Sequence, residues 1–183
     1  ALDKNLVGTF GGLVARHSSV NANRGGTLTV TTTSIGGYSI KLIGASGGGA
    51  ASASYAATGR LAASAPQISV QIGGQTLALN FNPANGEMTG THGAATVSGW
   101  RAAWNALTKP AGHLAGYYSM AVDLADVGDK GVDSIPQGSG FATFAVSIGG
   151  SLTLVGKTAE GEPITSASFL AANGDFWAYT PLY

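Results

Sequence analysis

Four of the nine acidic residues crowd into one short stretch. Asp123, Asp126, Asp129 and Asp133 fall within residues 123–133, interleaved with Gly128 and Gly131. Calcium takes several oxygen ligands from a flexible loop, and Asp/Gly-rich segments supply them. These four are the metal candidates. Their spacing departs from an EF-hand loop, which needs alternating ligand positions and a closing Glu. The plainer reading is a solvated loop between two strands. No cofactor is expected, calcium at these four residues being the alternative. The histidines are His17, His92 and His113, none with a second His two or four residues away, so no local metal pair exists. A Ser-His-Asp triad would lack the Gly-x-Ser-x-Gly elbow. The remaining carboxylates are Asp3, Glu87, Glu160, Glu162 and Asp175. A glycosidase would need two of them facing each other at a defined separation, and nothing in their spacing asks for that. The chain is therefore expected not to be an enzyme.

Aromatic residues offer a second chemistry. Trp and Tyr rings stack on sugars when exposed, which makes Trp100, Trp104, Trp177 and Tyr179 ligand-binding candidates. Trp177 and Tyr179 share one face of any strand that contains them. Such a face is more often core. The run Gly47-Gly48-Gly49-Ala50-Ala51 lacks the Lys-Ser/Thr of a phosphate cradle and reads as a flexible loop.

Composition sets the frame around these residues. The 183 residues carry nine Lys+Arg and nine Asp+Glu, a formal net charge of zero, with no Cys. Only 10% are charged, against roughly 25% in an average domain. The basic residues are scattered, which argues against a nucleic-acid partner. No apolar run approaches the ~20 residues of a membrane-spanning helix. The start, Ala1-Leu2-Asp3-Lys4-Asn5, has no signal-peptide character, and the missing Met suggests a processed protein or an excised piece. The absence of Cys excludes disulfides, thiolate zinc sites and a cysteine nucleophile. Low charge with abundant Gly, Ser, Thr, Ala and Asn is common in bacterial secreted and surface β proteins.

The elements that must position these residues are strands. Gly26-Thr27-Leu28-Thr29-Val30-Thr31 alternates apolar and hydroxyl side chains, as do Ile68-Ser69-Val70-Gln71-Ile72 and Ser151-Leu152-Thr153-Leu154-Val155. Alternation places one set toward a core and the other toward water. Gly36-Gly37, Gly73-Gly74, Asn85-Gly86, Gly149-Gly150 and Asn173-Gly174 punctuate the runs as tight turns. Strand starts are expected near Gly8, Gly26, Tyr38, Ser54, Gln67, Gln75, Glu87, Ala95, Gly116, Gly140, Ser151, Pro163 and Asp175, with one or two failing or merging. Trp100, Ala103, Trp104 and Leu107 fall at helical spacing before Lys109-Pro110 and predict a short helix. The expected fold is all-β: an antiparallel meander closing into a barrel of about eleven or twelve strands with one short helix. A two-sheet sandwich is the alternative.

The chain also reads as one domain, 1–183, built from an internal duplication. A first copy spans about 5–112 and a partial second copy about 113–183. Gly8-Thr9-Phe10 matches Gly116-Tyr117-Tyr118. The stretch around Gly36-Gly37 matches the stretch around Gly149-Gly150. Leu182-Tyr183 at the end suggests a continuation, or an edge that needs a neighbour.

Four motifs carry a resemblance: Gly116-Tyr117-Tyr118, Pro136-Gln137-Gly138-Ser139-Gly140-Phe141, Gly156-Lys157-Thr158-Ala159-Glu160-Gly161 and Tyr179-Thr180-Pro181-Leu182-Tyr183. With Ser98-Gly99-Trp100 they resemble repeat modules of large, poorly characterised bacterial secreted and cell-surface β proteins. The resemblance implies an extracellular β module in a longer polypeptide and implies no catalytic residues. The function expected is a structural or adhesive module at the cell surface or outside the cell. Its partners would be further copies of itself, neighbouring repeats or surface glycans. The alternative is a barrel module binding carbohydrate or a small apolar ligand.

Overall fold

The computed structural model describes residues 1–21, 25–45, 53–123, 128, 130–133 and 137–181. Twelve strands form in these residues. The first eight are β1 (Gly8–Val14), β2 (Gly26–Thr32), β3 (Gly37–Gly44), β4 (Ser54–Arg60), β5 (Gln67–Ile72), β6 (Gln75–Phe81), β7 (Glu87–His92) and β8 (Ala95–Arg101). They make one antiparallel sheet in the order β4-β3-β2-β1-β8-β7-β6-β5, nearly closed and barrel-shaped. The other four are β9 (Gly116–Val122), β10 (Gly140–Val146), β11 (Ser151–Lys157) and β12 (Pro163–Phe169). They make a second antiparallel sheet in the order β12-β11-β10-β9. Twelve strands form as the alternation predicts, but only eight join the barrel.

Period-two patterning decides which side chains fill the barrel. Phe10, Leu28, Val30, Leu42, Leu77, Leu79 and Met88 are fully enclosed. Phe10 and Phe81 meet edge to face at 4.9 Å. Packed side chains thus occupy the place where an interior ligand would sit. One end is closed by the 3₁₀ turn Lys4–Leu6, which buries Leu6. There Thr32 Oγ1 accepts from Gly8 N at 3.1 Å and donates to the Leu6 carbonyl. At the other end the 73–74 turn lies against Leu42 and Tyr55.

The sheet has one long-range seam, between β1 and β8, where Gly12 faces Gly99 and Gly11 faces Trp100. A Cβ on Gly99 would lie 2.5 Å from the Gly11 carbonyl oxygen and 2.8 Å from Met88 Cε. Only glycine permits this approach.

Two expected elements are absent. The Trp100–Leu107 stripe forms no helix: Trp100 and Arg101 belong to β8, and Leu107 is 93% exposed. Ala102 N continues the seam by donating to Thr9 O at 2.8 Å, so extended backbone wins over the helical spacing. Asn105 and Lys109 then close a tight turn, each backbone N donating to the other's carbonyl. The one α-helical turn among the described residues is α1 (Ser18–Asn21). Residues 175–181 form no strand; Phe176 and Trp177 pack instead against Phe144 and Phe169.

Gly99→Val is expected to destabilise the chain by about 1–3 kcal/mol through overpacking, lowering Tm by several degrees. Gly112→Ala, where an added Cβ meets nothing, should leave Tm unchanged. Equal melting of the two variants would remove the seam's special role.

Candidate functional site

The outer face of the β1–β8 seam carries two of the aromatic candidates, Trp100 and Trp177. Gly11 points outward yet is buried, because Trp177 covers it. A Cβ there would come within 2.7 Å of the indole Cη2 and 3.2 Å of Phe169 Cε1. Trp177 stacks beside Trp100 at 6.3 Å between centroids and takes Phe169 edge-on at 4.5 Å. Trp177 is 7% exposed; it joins the second sheet to the barrel and offers no free face to a sugar. Tyr179, two residues on, is half-buried, and its backbone N donates to Ser166 Oγ at 3.1 Å. Trp104 donates from Nε1 to the Ala171 carbonyl at 2.8 Å, with Lys109 Nζ 4.9 Å above its ring. It also lies against Gly150, where a Cβ would meet Trp104 Cβ at 2.6 Å.

Beside this cluster opens a cleft of about 650 Å³, lined by Asn5, Asn85, Glu87, Trp100, Arg101, Lys109, Asn173 and Asp175 among others. Its two acids arrive on matching turns. Asn85-Gly86-Glu87 has Glu87 N donating to Asn85 Oδ1 at 2.9 Å and Asn85 Nδ2 donating to Glu87 Oε2 at 3.3 Å. In Asn173-Gly174-Asp175 the same bonds measure 3.1 and 2.7 Å. Gly86 and Gly174 hold left-handed φ angles of 73° and 90°, which asparagine–glycine turns supply at little cost. One turn belongs to the barrel and the other follows the second sheet. Arg101 fixes the cleft's rim by donating from Nε to the Val7 carbonyl at 2.8 Å.

The other candidates lie apart. Asp126 and Asp129 are outside the described residues. Asp123 accepts a hydrogen bond from Ser139 Oγ, and Asp133 lies on an exposed turn. Among the described residues no group of three His, Cys, Asp or Glu side chains could hold a metal ion. His92 is fully buried and bonds through Nε2 to Ile72 O at 2.8 Å. It stands at the opposite end of β7 from Glu87, about 17 Å along the strand. His17 contacts Ser19, and His113 packs edge-on against Trp104. The sequence reading missed the pairing of the two Asn-Gly-acid turns. Both are Asn-Gly-acid triplets, Asn85-Gly86-Glu87 and Asn173-Gly174-Asp175, a shared pattern that marks each turn but not their meeting.

The last feature is β9. Its ladder runs only to β10, leaving its other edge unpaired among the described residues. Its sequence, Gly-Tyr-Tyr-Ser-Met-Ala-Val, has no charge and no proline, the usual protections of an edge. Tyr117 is 92% exposed, and Tyr118, Met120 and Val122 are exposed on the other face.

No helix among the described residues is long and apolar enough to cross a membrane. No protein-family model, curated protein or solved structure matches the chain.

Gly11→Leu is expected to expel the Trp177 ring, shifting tryptophan emission to the red while far-UV circular dichroism stays unchanged. Unaltered emission would show that Trp177 is not seated on Gly11.

Proposed function

We propose that the chain is a non-enzymatic structural or adhesive module of a secreted or surface-exposed bacterial protein, joined to other β modules through strand edges. The unprotected edge of β9 carries this reading. Main-chain hydrogen bonding to an exposed strand supplies affinity without a dedicated pocket. The low charge and the resemblance to repeat modules support the extracellular setting. The separation of His92 from Glu87 supports the non-enzymatic part.

Association should appear in light scattering coupled to size exclusion as protein concentration rises. Ser119→Lys, which places a charge on the β9 edge, should abolish it. A strict monomer at millimolar concentration, or association indifferent to this substitution, would sink the reading.

The cleft favours a second reading, carbohydrate binding. Its amides, carboxylates and cations can pair with sugar hydroxyls around Trp100, and its volume suits a small ligand. Titration with a panel of neutral oligosaccharides should then quench tryptophan fluorescence, and Trp100→Ala should weaken binding at least tenfold. Lack of quenching across the panel would discard this reading.

A further inference from the structure

The β9–β12 meander matches β1–β4 rank by rank. In the barrel, Gly8, Thr32, Tyr38 and Gly59 form one cross-strand rank, and Phe10, Val30, Ile40 and Ala57 the next on the same face. In the second sheet the corresponding ranks are Gly116, Val146, Leu152 and Ser168, then Tyr118, Phe144, Leu154 and Ser166. The turns agree too. Gly36 N donates to Thr33 O and Gly150 N to Ser147 O, both at 2.9 Å.

Contacts across the meanders also agree. Leu61 N donates to Gly36 O at 2.7 Å, and Leu170 N to Gly150 O at 2.8 Å. Leu2 N donates to Ser34 O at 2.9 Å, and Ala111 N to Ile148 O at 2.8 Å. The chain leaves both meanders through the same triplet, Leu61-Ala62-Ala63 and Leu170-Ala171-Ala172. Counted from that triplet, residues 176–181 stand where β5 stands. Thr180 Oγ1 donates to the Thr165 carbonyl at 2.6 Å along the edge of β12.

The difference lies at the other edge. β1 pairs with β8, and Phe10 and Val14 are enclosed. β9 has no such neighbour among the described residues, and the equivalent Tyr118 and Val122 are 40% and 48% exposed. We infer that the second sheet is a half-barrel whose β9 edge receives an antiparallel strand of the β8 kind, carried on a β6–β8-like meander of a neighbouring module. This rests on reading the chain as one module among others. The occupant's chemistry follows from β8. Ala95 and Val97 point inward, and Gly99 faces the position that Met120 holds in β9. A glycine there leaves room for the methionine. A charged or bulky residue would not fit.

The test adds to the full chain a synthetic peptide with the sequence of residues 87–102, the β7–β8 hairpin. Amide exchange in β9 is followed by NMR. At tenfold excess over its Kd the peptide should slow β9 exchange about tenfold and disperse any self-association through that edge. The same peptide carrying Gly99→Val should fail, as should the native peptide against the Ala121→Pro chain. Unchanged β9 exchange would overturn the inference, as would equal binding of the two peptides. So would a β9-mediated dimer that the peptide does not displace. In that last case Ser119→Lys would still dissolve the dimer, and the module reading would stand while this inference fell.

Discussion

The close approach of β1 and β8 is the constraint on which the rest depends. These strands join two four-stranded meanders, β1–β4 and β5–β8, that share no other backbone ladder among the described residues. Gly12 and Gly99 let the backbones draw together on the inside, where Phe10 and Met88 then fill the core. Gly11, one residue away, faces outward and leaves a shallow seat. Trp177 occupies that seat and ties the second sheet to the barrel. Burying an indole of this size supplies much of the hydrophobic contact at such a junction. Three glycines therefore set both the closure of the barrel and the position of its companion sheet.

The strands were legible because period two is a local signal. Alternation in Leu28, Val30 and Thr32, or in Leu77, Leu79 and Phe81, needs no knowledge of partners to be read. The division into eight and four was not legible. It depends on whether β8 returns to β1, a pairing across most of the barrel's sequence. The helix expected at 100–107 failed for a related reason. Trp100, Ala103, Trp104 and Leu107 match a helical stripe by spacing alone. Trp100 is held outward in β8, and Trp104 is fixed by the Ala171 carbonyl.

The candidate site was legible in part. Period two placed Trp177 and Tyr179 on one strand face, but no strand forms there; Trp177 is buried through its contacts with Gly11 and Phe169, and Tyr179 is half-buried. Trp100 lines the cleft. The turns before the acids of that cleft, Asn85-Gly86 and Asn173-Gly174, were individually visible. Nothing local says that the turn at Asn85 and the turn at Asn173 open onto the same space. That meeting is set by Trp177 on Gly11, a contact across the two sheets.

The position of β8 in the chain has a consequence for folding in time. β1–β4 can pair strand by strand as the polypeptide emerges, since neighbours in this part of the sheet are neighbours in sequence. β1 then waits for its second partner until residues 95–101 have been made. At synthesis rates of ~5–20 residues per second, that interval lasts several seconds. Throughout it Phe10 and Val14 lie on a strand with one edge unpaired, exposed to other nascent chains. The glycines of β1 carry no side chain for such a chance partner to grip. The loose edge is thus poor in the contacts that would trap it before β8 arrives.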